Sequence, residues 1–138
     1  MTLDAYVVRG RCTEIAQALD RLARIRATGR AAFLADPDAK DIACYRLLLA
    51  IEAALALCYH VSARRLKRVP DDYAGCFAGL SEAGIIPADL SNRLQRMARF
   101  RNLLVHVYWE VDYGRVFDVL QTDVEDLRVF SRAVAALL

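Results

Sequence analysis

Ile42-Ala43-Cys44-Tyr45-Arg46-Leu47-Leu48-Leu49-Ala50-Ile51-Glu52-Ala53-Ala54-Leu55-Ala56-Leu57-Cys58-Tyr59 decides the fold of this chain. The run sits inside a longer segment, about Asp38 to Lys67, with no Pro or Gly to interrupt a helix. It is apolar nearly all round, and a helix without a polar face must be covered on every side. A small domain rarely does that alone, so part of this helix is expected to meet a second subunit. Arg46 and Glu52 interrupt the run, which therefore falls short of a comfortable membrane span. Glu52 is nearly alone among charges in the middle of the helix. It is expected either to bond a buried tyrosine, to pair with an arginine, or to orient a catalytic group.

The rest of the composition agrees with a helical domain. A chain of 138 residues is one domain, 1–138, and can bury a core without a disulfide or metal staple. Apolar residues make up 57%, above the usual share, which leaves apolar surface for a partner. Six glycines and three prolines are too few for a turn-rich β-sandwich. The expectation is an all-α, single-domain antiparallel bundle of four to five helices that homodimerises. Net charge is only +2, so the bulk charge is no nucleic-acid signature. Cys12, Cys44, Cys58 and Cys76 lack paired spacing and read as small buried hydrophobes of a reducing compartment. No metal or cofactor site can be drawn from them with His60 and His106. Met1-Thr2-Leu3-Asp4 lacks a signal-peptide layout, and a cytoplasmic location is expected.

Outward from the apolar run, Val8, Cys12, Ile15, Leu19 and Leu22 mark an amphipathic helix over about Leu3–Ala27. Gly10 within it suggests close approach by a neighbouring helix. Gly29 ends this helix, and Asp36-Pro37-Asp38 reads as a loop. Arg64, Arg65, Lys67 and Arg68 cluster at a helix C-terminus, where the helix dipole favours them. Val69-Pro70-Asp71-Asp72 breaks the chain before a short helix that Gly84 closes. Pro87 opens a helix that runs on past residue 100. Tyr113-Gly114 reads as a turn. A last helical region follows, interrupted near Gln121, where Thr122-Asp123-Val124-Glu125 has a capping-box layout.

The helix after Pro87 holds the anomaly. Leu90, Leu94, Met97, Ala98, Leu104 and Val105 share one face, and Arg101 stands in the middle of it. An unpaired buried guanidinium is too costly to be accidental. Arg101 must have a carboxylate partner, reach a water-filled cleft, or bind an anion. His106 would point about 140° away on a continuous helix. It joins Arg101 only if the helix ends nearby or a second subunit supplies the pairing.

Phe100-Arg101-Asn102-Leu103-Leu104-Val105-His106-Val107-Tyr108-Trp109-Glu110-Val111-Asp112 resembles the signature of HepT-like toxins in the HEPN ribonuclease superfamily. That motif is Arg, four residues, His, one residue, Tyr, with a polar residue after the Arg. The resemblance extends over Tyr45–Ala53, Gly84–Pro87 and Asp123–Phe130. It implies a helical homodimer with motif residues at an interfacial cleft, cleaving RNA without a metal. It also implies a type VII-like toxin–antitoxin system, with a nucleotidyltransferase partner that transfers AMP to the motif tyrosine, here Tyr108. The alternative is a catalytically silent helical subunit that binds the nucleotidyltransferase.

Under this reading His106 removes the 2′-OH proton, being a group that titrates near neutrality. Arg101 holds the phosphate. Asn102 and Tyr108 support them, and Arg96 and Arg99 are candidate RNA contacts. Neither DNA nor a membrane is expected as a partner.

Overall fold

The computed structural model describes residues 2–106 and 111–138, with His106 as backbone only. Tyr108 and Trp109 lie outside the described residues. Seven α-helical segments account for most of the chain, and no strand occurs among the described residues. They are α1 (Ala5–Ala27), α2 (Arg30–Ala35), α3 (Pro37–Val61), α4 (Tyr73–Glu82), α5 (Ala88–His106), α6 (Tyr113–Asp118) and α7 (Val124–Ala135). A π-helical turn, Ser62–Leu66, prolongs α3, and another, Val119–Asp123, joins α6 to α7. With each π-linked run counted once, five principal helices remain beside the six-residue α2. The all-α expectation holds.

α3 is the central element because its sequence leaves it little polar surface. Ala43, Leu47, Ala50, Ile51, Ala54, Leu57, Cys58 and Val61 are buried. α1 lies along α3 and contributes Val8, Ile15, Ala18, Leu19 and Leu22 to the same core. The two run antiparallel: the backbone N–H of Asp4, which caps α1, donates to His60 Nε2 near the end of α3 at 3.0 Å. α7 adds Phe130, whose ring meets Phe77 of α4 edge-on, with centroids 5.4 Å apart. By length and composition α3 with its π turn could cross a membrane, contrary to the reading of the run as too short. Half of its most apolar window is buried within the chain, as for the core helix of a folded domain.

Several local expectations are corrected. Asp36-Pro37-Asp38 is the start of α3: the Asp36 carboxylate accepts from the N–H groups of Asp38 and Ala39, and Pro37 takes the first helical position. Tyr113-Gly114 is likewise the start of α6, with Asp112 accepting from the Arg115 N–H at 3.1 Å. The Thr122 capping box does not form. Asp123 makes no side-chain cap bond, because the chain passes through a π turn without leaving helical backbone. Nothing lies within 4 Å of a Cβ built on Gly10, so among the described residues no neighbouring helix packs closely against it. Gly29 and Gly84 do end helices, with φ of 91° and 78° that suit glycine.

The basic cluster after α3 has structural work. Arg64 donates to the Thr2 carbonyl, Arg65 to the Leu137 carbonyl, and Arg68 lies 4.0 Å from Glu82. Cys58 and Cys76 are buried, and Cys12 and Cys44 are half-buried. Burial pushes the Cys58 thiol far up from its ordinary pKa and raises Cys44 to about 11, so both stay protonated. No cluster of metal-ligating side chains occurs among the described residues.

Candidate functional site

α5 remains helical through residue 106, so positions 101 to 106 keep α-helical register. Leu90, Leu94, Met97 and Ala98 are buried on the face that packs towards α3, α4 and α7. Arg101 continues that face, with its side chain one-fifth exposed. Of the three ways of accommodating it, the structure shows a carboxylate: Arg101 Nε donates to Glu52 Oε1 on α3. The Arg101 Nη1 donates to Asn102 Oδ1 at 3.2 Å, and Cζ lies 5.7 Å from the centre of the Tyr73 ring. The Glu52 side chain is two-fifths exposed, so the pair stands at a surface.

That surface is a groove of about 490 Å³, lined by Glu52, Leu55, Ala56, Tyr59, Asp71, Asp72 and Tyr73. α3 forms one wall. The other is the entry to α4, held in place by the Asp72 carboxylate, which accepts from the Gly75 N–H at 2.6 Å. Tyr59 and Tyr73 meet edge-to-face, with centroids 5.6 Å apart and rings inclined at 82°. Desolvation first, then nearby Cys76, Tyr73, Cys58 and Asp72, raises the Tyr59 phenol, which remains a hydrogen-bond donor. Sequence reasoning found Arg101, Asn102 and Glu52 but missed Tyr59, Tyr73, Asp71 and Asp72. A signal existed: Asp71 and Asp72 precede an aromatic residue at a helix start.

The other candidates divide. Arg96 and Arg99 are exposed but occupy helical positions about 140° and 160° round from Arg101. Arg96 lines a different groove, with Phe100, Arg115, Asp118 and Asp123. Arg93 pairs with Asp126 at 3.1 Å. Residue 106 also lies about 140° from residue 101 by helical register. Within one chain, helix register alone does not bring Arg101 and His106 onto one face.

Comparisons with known proteins bear on the family and the fold. A curated protein from Shewanella oneidensis (strain MR-1), "mRNA nuclease HepT", is 24% identical over 130 residues, spanning 94% of this chain and 97% of that one. The fold is similar to that of a tri-AMPylated Shewanella oneidensis HEPN toxin in complex with MNT antitoxin. The TM-score is 0.87 at 24% identity, over 94% of this chain and 97% of that one. A toxin–antitoxin structure with AMP-PNP gives a TM-score of 0.85 at 23% identity, over 93% and 97% of the two chains. The family model described as "Ribonuclease HepT-like" matches residues 15–134, nearly the whole helical core, and this chain belongs to that family.

Proposed function

We propose that this chain is a metal-independent endoribonuclease toxin of a toxin–antitoxin pair, working as a homodimer in the cytoplasm. The observation that carries the reading is Arg101, on a HepT-like fold, set beside an open groove and braced by Glu52. An arginine needed only for packing would be covered on all sides. This one is one-fifth exposed, its Nη2 makes no hydrogen bond among the described residues, and a planar fork suits a phosphate.

The chemistry follows from RNA itself. His106 removes the proton of a 2′-hydroxyl, whose oxygen forms a bond to the adjacent phosphorus. The bond from phosphorus to the 5′-oxygen breaks, leaving a 2′,3′-cyclic phosphate. The partner subunit's His106 returns a proton to the departing 5′-oxygen. Arg101 stabilises the charge that builds on the phosphoryl oxygens, and Asn102 fixes the guanidinium orientation. Two-fold pairing would gather the imidazoles of both copies at one cleft, which the register of α5 alone does not do within one chain. Arg96 and Arg99 would contact RNA outside the cleft.

The antitoxin is a nucleotidyltransferase of the kind seen with the structural relatives. It would transfer AMP from a nucleoside triphosphate to the Tyr108 phenol, releasing pyrophosphate. A bulky anionic adduct at the motif would then block RNA. The test is cleavage of structured RNA by purified dimer in EDTA, beside Arg101→Ala and His106→Ala proteins of wild-type fold. Each substitution should lower the rate by about a hundredfold or more. Rates unaffected by both would overturn the reading. A protein that cuts nothing yet is adenylylated at Tyr108 would instead be a silent binding subunit.

A further inference from the structure

The groove beside Arg101 has a chemistry that phosphate binding does not explain. Glu52, Asp71 and Asp72 bring three carboxylates to its wall, which repel a phosphodiester backbone. Asp72 has one oxygen on the Gly75 N–H, and Glu52 has one on Arg101. Asp71 is exposed and makes no ion pair or hydrogen bond among the described residues. Carboxylates only accept, so the groove is rich in unspent acceptors. Tyr59 and Tyr73 add aromatic surface, and Leu55 and Ala56 an apolar floor. Its volume, about 490 Å³, falls in the range of small-molecule sites.

A flat, uncharged group with neighbouring N–H donors fits those walls. We propose that the groove is a nucleobase subsite that receives a guanine flanking the phosphate held by Arg101. The inference rests on the ribonuclease reading. Single-stranded RNA is recognised by stacking on aromatic side chains and by hydrogen bonds to exposed base edges. Guanine alone among the four bases presents two adjacent donors, N1–H and the N2 amino group, which a single carboxylate accepts together. Uracil, cytosine and adenine each offer one such donor position on that edge. Arg101 stands beside this aromatic wall, its guanidinium carbon 5.7 Å from the centre of the Tyr73 ring.

The test begins with wild-type dimer cutting a random-sequence RNA pool, followed by sequencing of the product ends. Guanosine should be enriched about tenfold at one position flanking the cut. Inosine, which lacks the N2 amino group, should slow cleavage by about tenfold when placed there. An Asp71→Asn/Asp72→Asn protein keeps a capping side chain at α4, and its guanosine-to-inosine rate ratio should fall towards one. No enrichment, or equal rates on guanosine and inosine by wild type, overturns the subsite while leaving the ribonuclease reading intact. Binding separates the converse case. The His106→Ala dimer should bind fluorescein-labelled trinucleotides carrying guanosine more tightly than those carrying inosine. That discrimination without any cleavage by wild type upholds the subsite and sinks the ribonuclease. Its absence overturns the subsite.

Discussion

At the scale of single residues, Arg101 was legible as an anomaly and Glu52 as a candidate partner, but their pairing was not. Periodicity shows a charge on an apolar face, but pairing across 49 positions with Glu52 is a tertiary fact. Glu52→Gln should preserve the fold and loosen the guanidinium, lowering the cleavage rate by about tenfold to a hundredfold, the usual cost of a misplaced catalytic group. Initial rates on one RNA check this, and an unchanged rate would make Glu52 a packing residue only. His60 was passed over in the sequence, yet its Nε2 accepts the Asp4 N–H that starts α1. Desolvation, with Arg64 nearby, lowers its pKa from 6.5, outweighing the opposing pull of Asp4. The neutral imidazole is therefore the folded form. The stability it contributes is fully present above about pH 6.5 and is lost as pH falls through the lowered value. The thermal midpoint of the wild-type protein should fall over that window, and a His60→Gln protein should lack that component.

At the scale of elements, long periodic segments were readable and their junctions were not. α1, α3 and α5 follow from the spacing of Ile15, Leu47 or Leu94 and their neighbours. The short α2 escaped because Arg30–Ala35 has a single buried anchor, Phe33, whose ring meets Phe117 of α6 tilted at 42° with centroids 5.4 Å apart. Asp36 looked like a loop residue for the same reason that it caps a helix: a short carboxylate competes for backbone N–H groups. Two glycines test the element-scale account. Gly10 lies mid-helix with open space around it, so Gly10→Ala should add about 1 kcal/mol to the unfolding free energy in urea. A Cβ on Gly75 would sit 2.9 Å from Asp72 Oδ1 and displace the cap. Gly75→Ala should therefore gain nothing, since loss of a cap costs about as much.

At the scale of the whole molecule, the helix that carries Glu52 also presents exposed apolar side chains. Tyr45, Leu48 and Leu49 share one side of α3, a turn ahead of Glu52 and the open groove. Tyr45 is 58% exposed there, while the opposite side of the helix is core. The apolar surplus noted in the composition is spread over the surface, at Tyr6, Leu34, Val69 and Val129 as well as at Ile42 and Tyr45 of α3. A two-fold pairing through this side of α3 would bury it and bring two copies of the motif together. Tyr45→Glu should yield monomers by light scattering and a loss of RNA cleavage of about a hundredfold, through loss of the second imidazole. A monomeric variant that still cuts at the wild-type rate would place the whole site within one chain.

The order of the helices along the chain has a consequence for synthesis. α1 leaves the ribosome before α3, so the apolar helix emerges with its longest antiparallel cover already made. Glu52 is translated 49 residues ahead of Arg101. A chain interrupted between them holds the acidic half of the groove and none of its cation. Only a polypeptide synthesised beyond Arg101 can close the ion pair, which postpones any harm to RNA until both of its partners have been made.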